Sequence, residues 1–488
     1  MTALLALAAC SRTPQRTVER IALLPFDNLT GDAALDWVST AGPAMLAEEL
    51  AGASHVVAVR ETSAGMAALR GASQLLHCTF TQRGGALEIN FALEDVERHR
   101  MVSTGSAAGA VLFAVSTLAR ALDAGAQPFS TPNADAAAAW GRGEFERAVM
   151  LDPDFGTAWV SWIQQTQQSG KAEEAVAIAG RALARSSLRS PLNKAQIQLS
   201  SALLRRDEAA RIGALTELAR LAPSDGGALL GLAEIEQRHR RFSAAAEWYR
   251  RALAIDPRDG AALNGLGYAL GEGGDVDGAK RILEQYGQKP EQAVNALDSL
   301  GEVHFMNGRF ADAEKYFAQA TARQANFLAG APLMKAAYAH WLGGDLAGAD
   351  GLMRKYLDLL TAANDRQVVW REATWLYATG RRDQALAMLD KTPPDQAAAM
   401  ERQRSVWRGE VHPPEDLEQL KKIFEGTNPA VDGLPRTLYA AALAKAGKTE
   451  EARALLKTWP LPESAVDPLL QSLLYPQFLE LRKTLGIK

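Results

Sequence analysis

Histidine and cysteine often serve as metal ligands or catalytic groups, but their spacing in this 488-residue chain favours neither role. No pair among the seven histidines has HExxH spacing, and the two cysteines, Cys10 and Cys78, are far apart in the sequence. His304 and His340 hold equivalent positions in a repeated pattern, so we interpret them as packing residues. The serines form neither a nucleophile elbow nor an SxxK arrangement. The sequence therefore predicts no catalytic site, no metal site and no cofactor.

Phosphate-binding and nucleic-acid-binding patterns are also missing from the sequence. There is no GxxxxGK[ST] motif, and Gly265, Gly267 and Gly271 have dinucleotide-loop spacing but follow no predicted strand. We interpret these glycines as part of a helix. Lys plus Arg number 53 against 57 Asp plus Glu, a net charge of −4, and the basic run 238–241 is typical of a solvated helix end. We therefore expect neither a nucleic-acid partner nor a small-molecule substrate.

Aromatic and charged residues at one repeated position favour protein binding instead. We take the first helix of each pair to line the concave face, as the family resemblance given below implies. Ten residues at inward positions of these first helices form what we call the groove set: Tyr268, Asp298, Glu302, Phe305, Lys335, Tyr338, Trp341, Trp370, Arg371 and Tyr377. The alternative is that several of them pack between neighbouring repeats as core. The first interpretation predicts a groove for a protein or peptide ligand.

The repeats that would position this groove share one pattern, a turn glycine followed five residues later by alanine. It occurs at 170/175, 274/279, 308/313, 344/349, 380/385 and 447/452, and at 240/245 with arginine in place of glycine. Glycine suits the end of the first helix, and alanine lets the second helix approach closely. The steps from 240 to 274 and from 274 to 308 are each 34 residues. A helix-turn-helix period of this length indicates stacked helix pairs.

This pattern resembles the tetratricopeptide repeat (TPR) family. The resemblance implies a TPR superhelix over residues 133–466, with about eight to nine repeats, and a capping helix over 467–488. The repeats at 192–223 and 395–432 are degenerate. The carboxylate-clamp pattern of chaperone-binding members is replaced here by Tyr268, Asp298 and Glu302, so a C-terminal carboxylate ligand is not expected.

A different pattern precedes the repeats. The apolar run 21–26 predicts a buried strand, 35–50 has helical spacing, and 55–59 and 75–82 predict two further strands. Gly84 and Gly85 allow a tight reversal into an alternating strand at 87–94, followed by a strand near 101–106 and a helix over 111–122. The sequence therefore predicts a small α/β domain at 21–123, joined to the repeats by a linker at 124–132.

The opening of this domain, Ile21-Ala-Leu-Leu-Pro-Phe-Asp-Asn-Leu-Thr-Gly-Asp32, is similar to the TolB/CsgG-like amino-terminal domain. That resemblance implies an accessory domain of the bacterial envelope or of signalling proteins, with no catalytic residues. The fold class predicted for the whole chain is mainly α: a TPR solenoid preceded by a small α/β domain.

Residues 1–20 carry a candidate export and anchoring segment. Leu7-Ala8-Ala9-Cys10 follows an apolar run and resembles the lipobox of bacterial lipoproteins, which implies lipid attachment at Cys10. The family's basic residue near the start is missing, and a frayed alanine-rich terminus is the alternative. We expect a non-enzymatic scaffold, lipid-anchored on the periplasmic side of the cell envelope. The alternative is a cytoplasmic signalling accessory.

Overall fold

The computed structural model describes most of the chain between residues 19 and 457. The described residues are 19–53, 56–69, 71–392, 415–426, 433–457 and 484–487, with single positions 401, 404, 408 and 481. They form two compact units, one reaching Leu232 and including Arg251–Pro257, the other comprising Ala233–Arg250 and the described residues from Arg258 onward. Among these residues, no helix has the length and apolarity that crossing a bilayer requires.

The first unit begins with a six-stranded mixed sheet. Its strands are β1 (Glu19–Leu23), β2 (Asp27–Asn28), β3 (Val56–Arg60), β4 (Gln74–Arg83), β5 (Ala86–Asp95) and β6 (Arg100–Gly109). The order is β3-β1-β4-β5-β6, with β2 also pairing with β4. β1 runs parallel to β3 and β4, whereas β4–β5 and β5–β6 are antiparallel. These strands lie within about three residues of the strands predicted from the sequence.

Three helices accompany the sheet: α1 (Trp37–Leu50), α2 (Ala64–Leu69) and α3 (Val111–Leu122). Helices α1 and α3 pack together, and α3 also contacts β5 and β6. Alternation along β1 sends Ile21 and Leu23 into the main core, while Ala22 packs with Ala67 of α2 in a separate cluster. The sequence analysis did not identify α2.

The first strand ends earlier than its apolar run predicts. β1 stops at Leu23, and the ladder resumes only at Asp27, where β2 pairs with β4. Pro25 lies in this gap and has no backbone N–H to donate to a ladder. Phe26 is nevertheless 1% exposed, so the residue contributes to the core without belonging to a strand.

The later part of the segment predicted as a linker packs into the interior of the first unit, whereas residues 124, 125, 127, 128 and 132 are exposed. Phe129, Ser130 and Thr131 are all buried. The Phe129 ring lies 5.6 Å from that of Trp140 and 5.4 Å from that of Phe155. The predicted linker at 124–132 contains no helix or strand, and its residues 129–131 pack against the first helices.

From residue 134 to residue 389, the chain consists of helices arranged in successive pairs. The pairs are α4 (Ala134–Gly141) with α5 (Phe145–Leu151), α6 (Gly156–Gln168) with α7 (Ala172–Leu183), α8 (Pro191–Arg205) with α9 (Glu208–Leu221), α10 (Gly226–Arg238) with α11 (Phe242–Ile255), α12 (Gly260–Glu272) with α13 (Val276–Tyr286), α14 (Ala293–Met306) with α15 (Phe310–Arg323), α16 (Ala331–Leu342) with α17 (Leu346–Ala362), and α18 (Val368–Ala378) with α19 (Arg382–Leu389). Further helices span Glu415–Glu425, Gly433–Lys445 and Thr449–Lys457. The predicted capping helix lies mostly outside the described residues.

The turn-glycine pattern is confirmed residue by residue. The six turn glycines have φ between 70° and 105°, and Arg240 adopts the same left-handed conformation with φ 60°. All seven alanines five residues later, from Ala175 to Ala452, are 0% exposed. The degenerate pair α8–α9 keeps this turn as well, with Arg206 at φ 56°. A mainly α solenoid of helix pairs, preceded by a small α/β domain, is therefore the fold.

Candidate functional site

The groove set lies on the first helices of four successive pairs, all within the second unit. Tyr268 is on α12, Asp298, Glu302 and Phe305 are on α14, Lys335, Tyr338 and Trp341 are on α16, and Trp370, Arg371 and Tyr377 are on α18. On α14 and α16 these residues recur at intervals of three or four, so they share one helix face; on α18 Trp370 and Tyr377 are seven apart and share a face, while Arg371 lies about 100° from Trp370. The structure divides them into a buried group and a partly exposed group.

Four of the ten predicted groove residues are buried, so neighbouring side chains rather than solvent surround them in this structure. Phe305 and Tyr338 are 3% and 2% exposed and belong to one apolar cluster. Asp298 and Lys335 are each 3% exposed. Phe305 and Tyr338 fit the alternative interpretation as core, because they belong to one apolar cluster drawn from three repeats, Phe305 beside Phe310 and Tyr338 beside Trp375.

Charged residues of the groove set join three successive repeats through a buried ion cluster, which we define as Tyr268, Asp298, Glu302 and Lys335. The Lys335 Nζ donates to Asp298 Oδ2 at 2.8 Å and also to Glu302. The Tyr268 hydroxyl donates to the other oxygen of Glu302. The cluster therefore runs from α12 through α14 to α16, with two carboxylates around one ammonium group.

Burial sets the electrostatics of this cluster. Removal from water raises the pKa of Asp298 to about 6, although Lys335 opposes the shift. Burial would lower the pKa of Lys335, but the charges of Glu302 and Asp298 outweigh it and raise the pKa above the ordinary lysine value. The Oδ1 atom of Asp298 has no hydrogen-bond partner among the described residues. Because Asp298 and Lys335 are both buried, removal of either side chain would leave the charge of the other without a partner in the interior.

An aromatic cluster of Tyr338, Trp341 and Trp375 lies beside these charges. The Trp375 ring is edge-on to Tyr338 at 5.0 Å and to Trp341 at 5.8 Å. Its Nε1 donates to Asp350 Oδ1 at 2.6 Å. Trp375 is 3% exposed, whereas Trp341 is only partly buried. The aromatic residues of α16 are thus held in place by a residue of α18.

Sequence analysis missed Trp375, although the repeat register contains a signal for it. Trp375 stands five residues before the turn glycine at 380, and the same position in the three preceding repeats is Ala269, Val303 and Ala339. Those three residues are buried, at 1%, 0% and 1% exposed. A core position that changes from a small residue to tryptophan indicates a local enlargement of the inter-repeat core.

The remaining predicted groove residues keep part of their surface in solvent. Trp370 and Tyr377 are seven residues apart on α18, and each packs partly against the cluster of Ala373, Ala385 and Leu389. Arg371 Nη2 donates to Gln367 Oε1 at 3.1 Å. Tyr268, Glu302 and Trp341 are also partly exposed. Peptide contact at these six residues stays a prediction, since burial alone does not identify a ligand.

The two histidines at equivalent repeat positions have different environments. His304 is 6% exposed, and its ring stacks on Tyr316 with centroids 5.2 Å apart. Burial lowers its pKa, and its Nδ1 is 4.0 Å from Asp312, beyond hydrogen-bonding distance. His340 instead lies between two carboxylates, with Nδ1 2.9 Å from Glu314 and Nε2 2.9 Å from Asp345. The packing interpretation is confirmed for His304, while His340 forms ion pairs when protonated.

His340 should make part of the stability depend on pH. The hydrogen bond to Glu314, followed by that to Asp345, raises the pKa of His340 above its usual value. The stabilisation is therefore complete below the unfolded-state pKa of about 6.5 and is lost as the pH rises through the higher folded-state pKa. We expect the melting temperature to fall less between pH 6 and pH 8 in His340→Gln than in the parent chain. An equal fall in both proteins would contradict this assignment.

The other residues considered above for chemistry have structural roles or lie outside the described residues. Gly265, Gly267 and Gly271 lie inside α12, where an added Cβ would overlap Tyr249, Leu283 and Val303. These glycines therefore allow close packing of α12 against its neighbours.

Cys78 is 3% exposed, and burial raises the pKa of its thiol. Within the part of the chain that the structure describes, no three His, Cys, Asp or Glu residues group so that they could hold a metal ion. Cys10 lies outside the described residues.

Comparison with known proteins identifies one repeat directly. Residues 294–325 match the family described as tetratricopeptide repeat, and in the structure this range covers α14, apart from its first residue Ala293, and all of α15. No curated protein sequence matches the chain.

Three solved structures are similar to parts of the chain. YrrB, described as a TPR protein with an unusual peptide-binding site, is 14% identical with a TM-score of 0.32, covering 38% of this chain and 94% of its own. PilF of Pseudomonas aeruginosa is 21% identical with a TM-score of 0.31, covering 44% and 100%. Yeast Tom70 is 12% identical with a TM-score of 0.36, covering 76% and 92%.

Proposed function

We propose that this chain is a non-enzymatic scaffold that binds partner polypeptides along the first-helix face of its TPR solenoid. The observation that carries the proposal is the surface of α18, where Trp370, Arg371 and Tyr377 remain partly exposed. Large aromatic residues beside arginine are typical of binding hot spots, because they desolvate a large area with few rotatable bonds. Repeated helix pairs also provide the continuous surface on which an extended partner segment can lie.

The buried residues of the groove set support the same face. The ion cluster and the Tyr338–Trp375 contacts hold α12, α14, α16 and α18 in a fixed arrangement. A rigid face loses less conformational entropy when a ligand binds. In this proposal the buried members position the face, and Trp341, Trp370, Arg371 and Tyr377 contact the partner.

Site-specific photo-crosslinking tests the proposed face. A benzophenone amino acid replaces Trp370 in one protein and Lys355, an exposed residue of α17, in the matched control. Irradiation in extract of the native cell should attach a distinct polypeptide to position 370 that position 355 does not capture. Its yield should drop by about thirtyfold when the unlabelled Tyr377 is also changed to alanine, as removal of a hot spot predicts. Identical products from both positions would refute the proposal.

We further propose that the scaffold belongs to the bacterial cell envelope, anchored on the periplasmic side by lipid at Cys10, with a TolB/CsgG-like domain at its amino terminus. The support is the sequence of residues 7–10 and of residues 21–32. Metabolic labelling with palmitate should mark the chain and place it in the membrane fraction. Cys10→Ser should abolish both results, and Cys78→Ser, a buried-cysteine control, should leave the label in place. Label that persists in Cys10→Ser would exclude the anchor.

A further inference from the structure

An open cleft lies between α17, α18 and α19, within the second unit. Its volume is about 430 Å³. That is within the range of cavities that accept a ligand or a short peptide segment. The apolar part of its lining consists of Met353, Leu357, Trp375, Leu376 and Met388. The two methionines can adapt their shape to different apolar side chains, as methionine-rich binding surfaces do.

This cleft is on the opposite side of α18 from the proposed groove. Trp370 and Tyr377 are seven residues apart and share one face of the helix. Glu372 and Leu376, which line the cleft, are each rotated by well over a quarter turn from that face at about 100° per residue. A ligand in the cleft therefore contacts a surface that the groove residues do not form.

The charges around the cleft are unevenly compensated. Asp350 accepts hydrogen bonds from Arg381 at 2.7 and 2.8 Å and from Trp375, so the Asp350–Arg381 pair is internally neutral. Arg354, Lys391 and Glu372 also line the cleft. The side chains of Arg354 and Lys391 make no hydrogen bond or ion pair with another described residue. Two cations against one anion leave an excess positive charge at an apolar cleft.

We infer that this cleft is a second docking site, which takes a partner segment carrying acidic side chains next to a large apolar one. The apolar side chain would enter over Met353 and Leu376, and the carboxylates would pair with Arg354 and Lys391. Charge complementarity selects this occupant, because Arg354, Arg381 and Lys391 outnumber Asp350 and Glu372 by one charge, and a basic segment would meet this positive excess. The inference is independent of the proposed function, since it uses none of the partly exposed groove residues.

Binding of a defined probe tests the inference with the full chain. The probe is a fluorescein-labelled octapeptide, Leu-Glu-Asp-Phe-Leu-Glu-Asp-Leu, followed by fluorescence anisotropy at low salt. We expect saturable binding that weakens at least about tenfold in Arg354→Glu/Lys391→Glu, because two rim attractions become repulsions. The matched control is Lys355→Glu/Arg382→Glu, which reverses two exposed charges of α17 and α19 outside the cleft and should change the affinity less than threefold.

A third cleft variant, circular dichroism of all variants and a basic peptide complete the test. Met388→Glu, which removes an apolar contact and adds a charge of the probe's own sign, should also weaken probe binding, and circular dichroism should show that each variant keeps the parent helix content. A peptide with lysine at its four acidic positions should not bind the parent chain. Absence of saturable probe binding, equal weakening in the control variant, or weakening in Trp370→Ala alone would overturn the inference. The last result would assign the probe to the groove and leave the proposed function standing.

Discussion

Lys335→Met is expected to lower the free energy of unfolding by about 3–5 kcal/mol at pH 7.5. The substitution keeps the volume of the side chain but removes the ammonium group that pairs with Asp298 and Glu302. Lys335 and Asp298 have side chains only 3% and 4% exposed, so water cannot replace the lost partner. Two carboxylates would then share one buried site without a cation. Denaturant unfolding of the purified chain measures the loss.

The control for this prediction is a surface ion pair in the same unit. Lys315 Nζ lies 3.0 Å from Asp312, with side chains 69% and 47% exposed. Lys315→Met should therefore change the stability by less than about 1 kcal/mol. If Lys335→Met lowers the free energy of unfolding no more than Lys315→Met does, the ion cluster does not stabilise the fold as proposed.

Protonation gives a second check on the same variant. Burial already raises the pKa of Asp298 to about 6, and removal of Lys335 takes away the charge that opposes this shift. A protonated Asp298 needs no cation, so the deficit of Lys335→Met should be smaller at pH 5 than at pH 7.5. Additional substitutions Asp298→Asn and Glu302→Gln should restore part of the stability at pH 7.5, because they remove the unpaired charges.

Trp375→Ala should cost about 3–5 kcal/mol of stability, which is the range for truncation of a buried tryptophan. Its ring contacts Tyr338 and Trp341, and its Nε1 donates to Asp350. Trp375→Phe should cost less, since it keeps much of the ring contact and Asp350 retains its bonds from Arg381. Thermal and denaturant unfolding of both variants measures these differences.

The matched variant is Trp370→Ala, one turn and a half earlier on the same helix. Trp370 is partly exposed, so its truncation should lower stability clearly less than that of Trp375. It should instead reduce partner binding by about thirtyfold. Similar stability losses for both variants would show that Trp370 is inter-repeat core and would remove it from the proposed binding face.

Much of the fold follows from local sequence features. A glycine at the end of a first helix avoids the cost of a left-handed backbone, and an alanine five residues later allows close approach of the second helix. These requirements are set within a few residues, so the repeat register could be predicted, including Arg240 with φ 60°. The strands of the α/β domain followed from short apolar runs for the same reason. The composition of residues 124–132 predicted a linker, and only the structure shows that Phe129 and Thr131 within it are buried.

The candidate site could be predicted only in part. Helical periodicity placed ten residues on the first-helix face, and this requires no tertiary information. Whether each residue on that face is covered depends on which side chains of other helices pack against it. Phe305 packs against Phe310 of α15 and Tyr338 against Trp375 of α18, and both are buried. Trp370 is also aromatic but is partly exposed.

The sequence by itself thus determined the repeats, their turns and the helix face on which the aromatic and charged residues lie. Tertiary structure alone decided that Lys335 pairs with Asp298, 37 residues earlier, and that Trp375 closes the aromatic cluster through Asp350. Tertiary structure alone also formed the cleft between α17, α18 and α19. The physical reason is that burial and charge pairing depend on neighbours from other repeats, whereas turn and helix preferences depend on the residue and its adjacent chain.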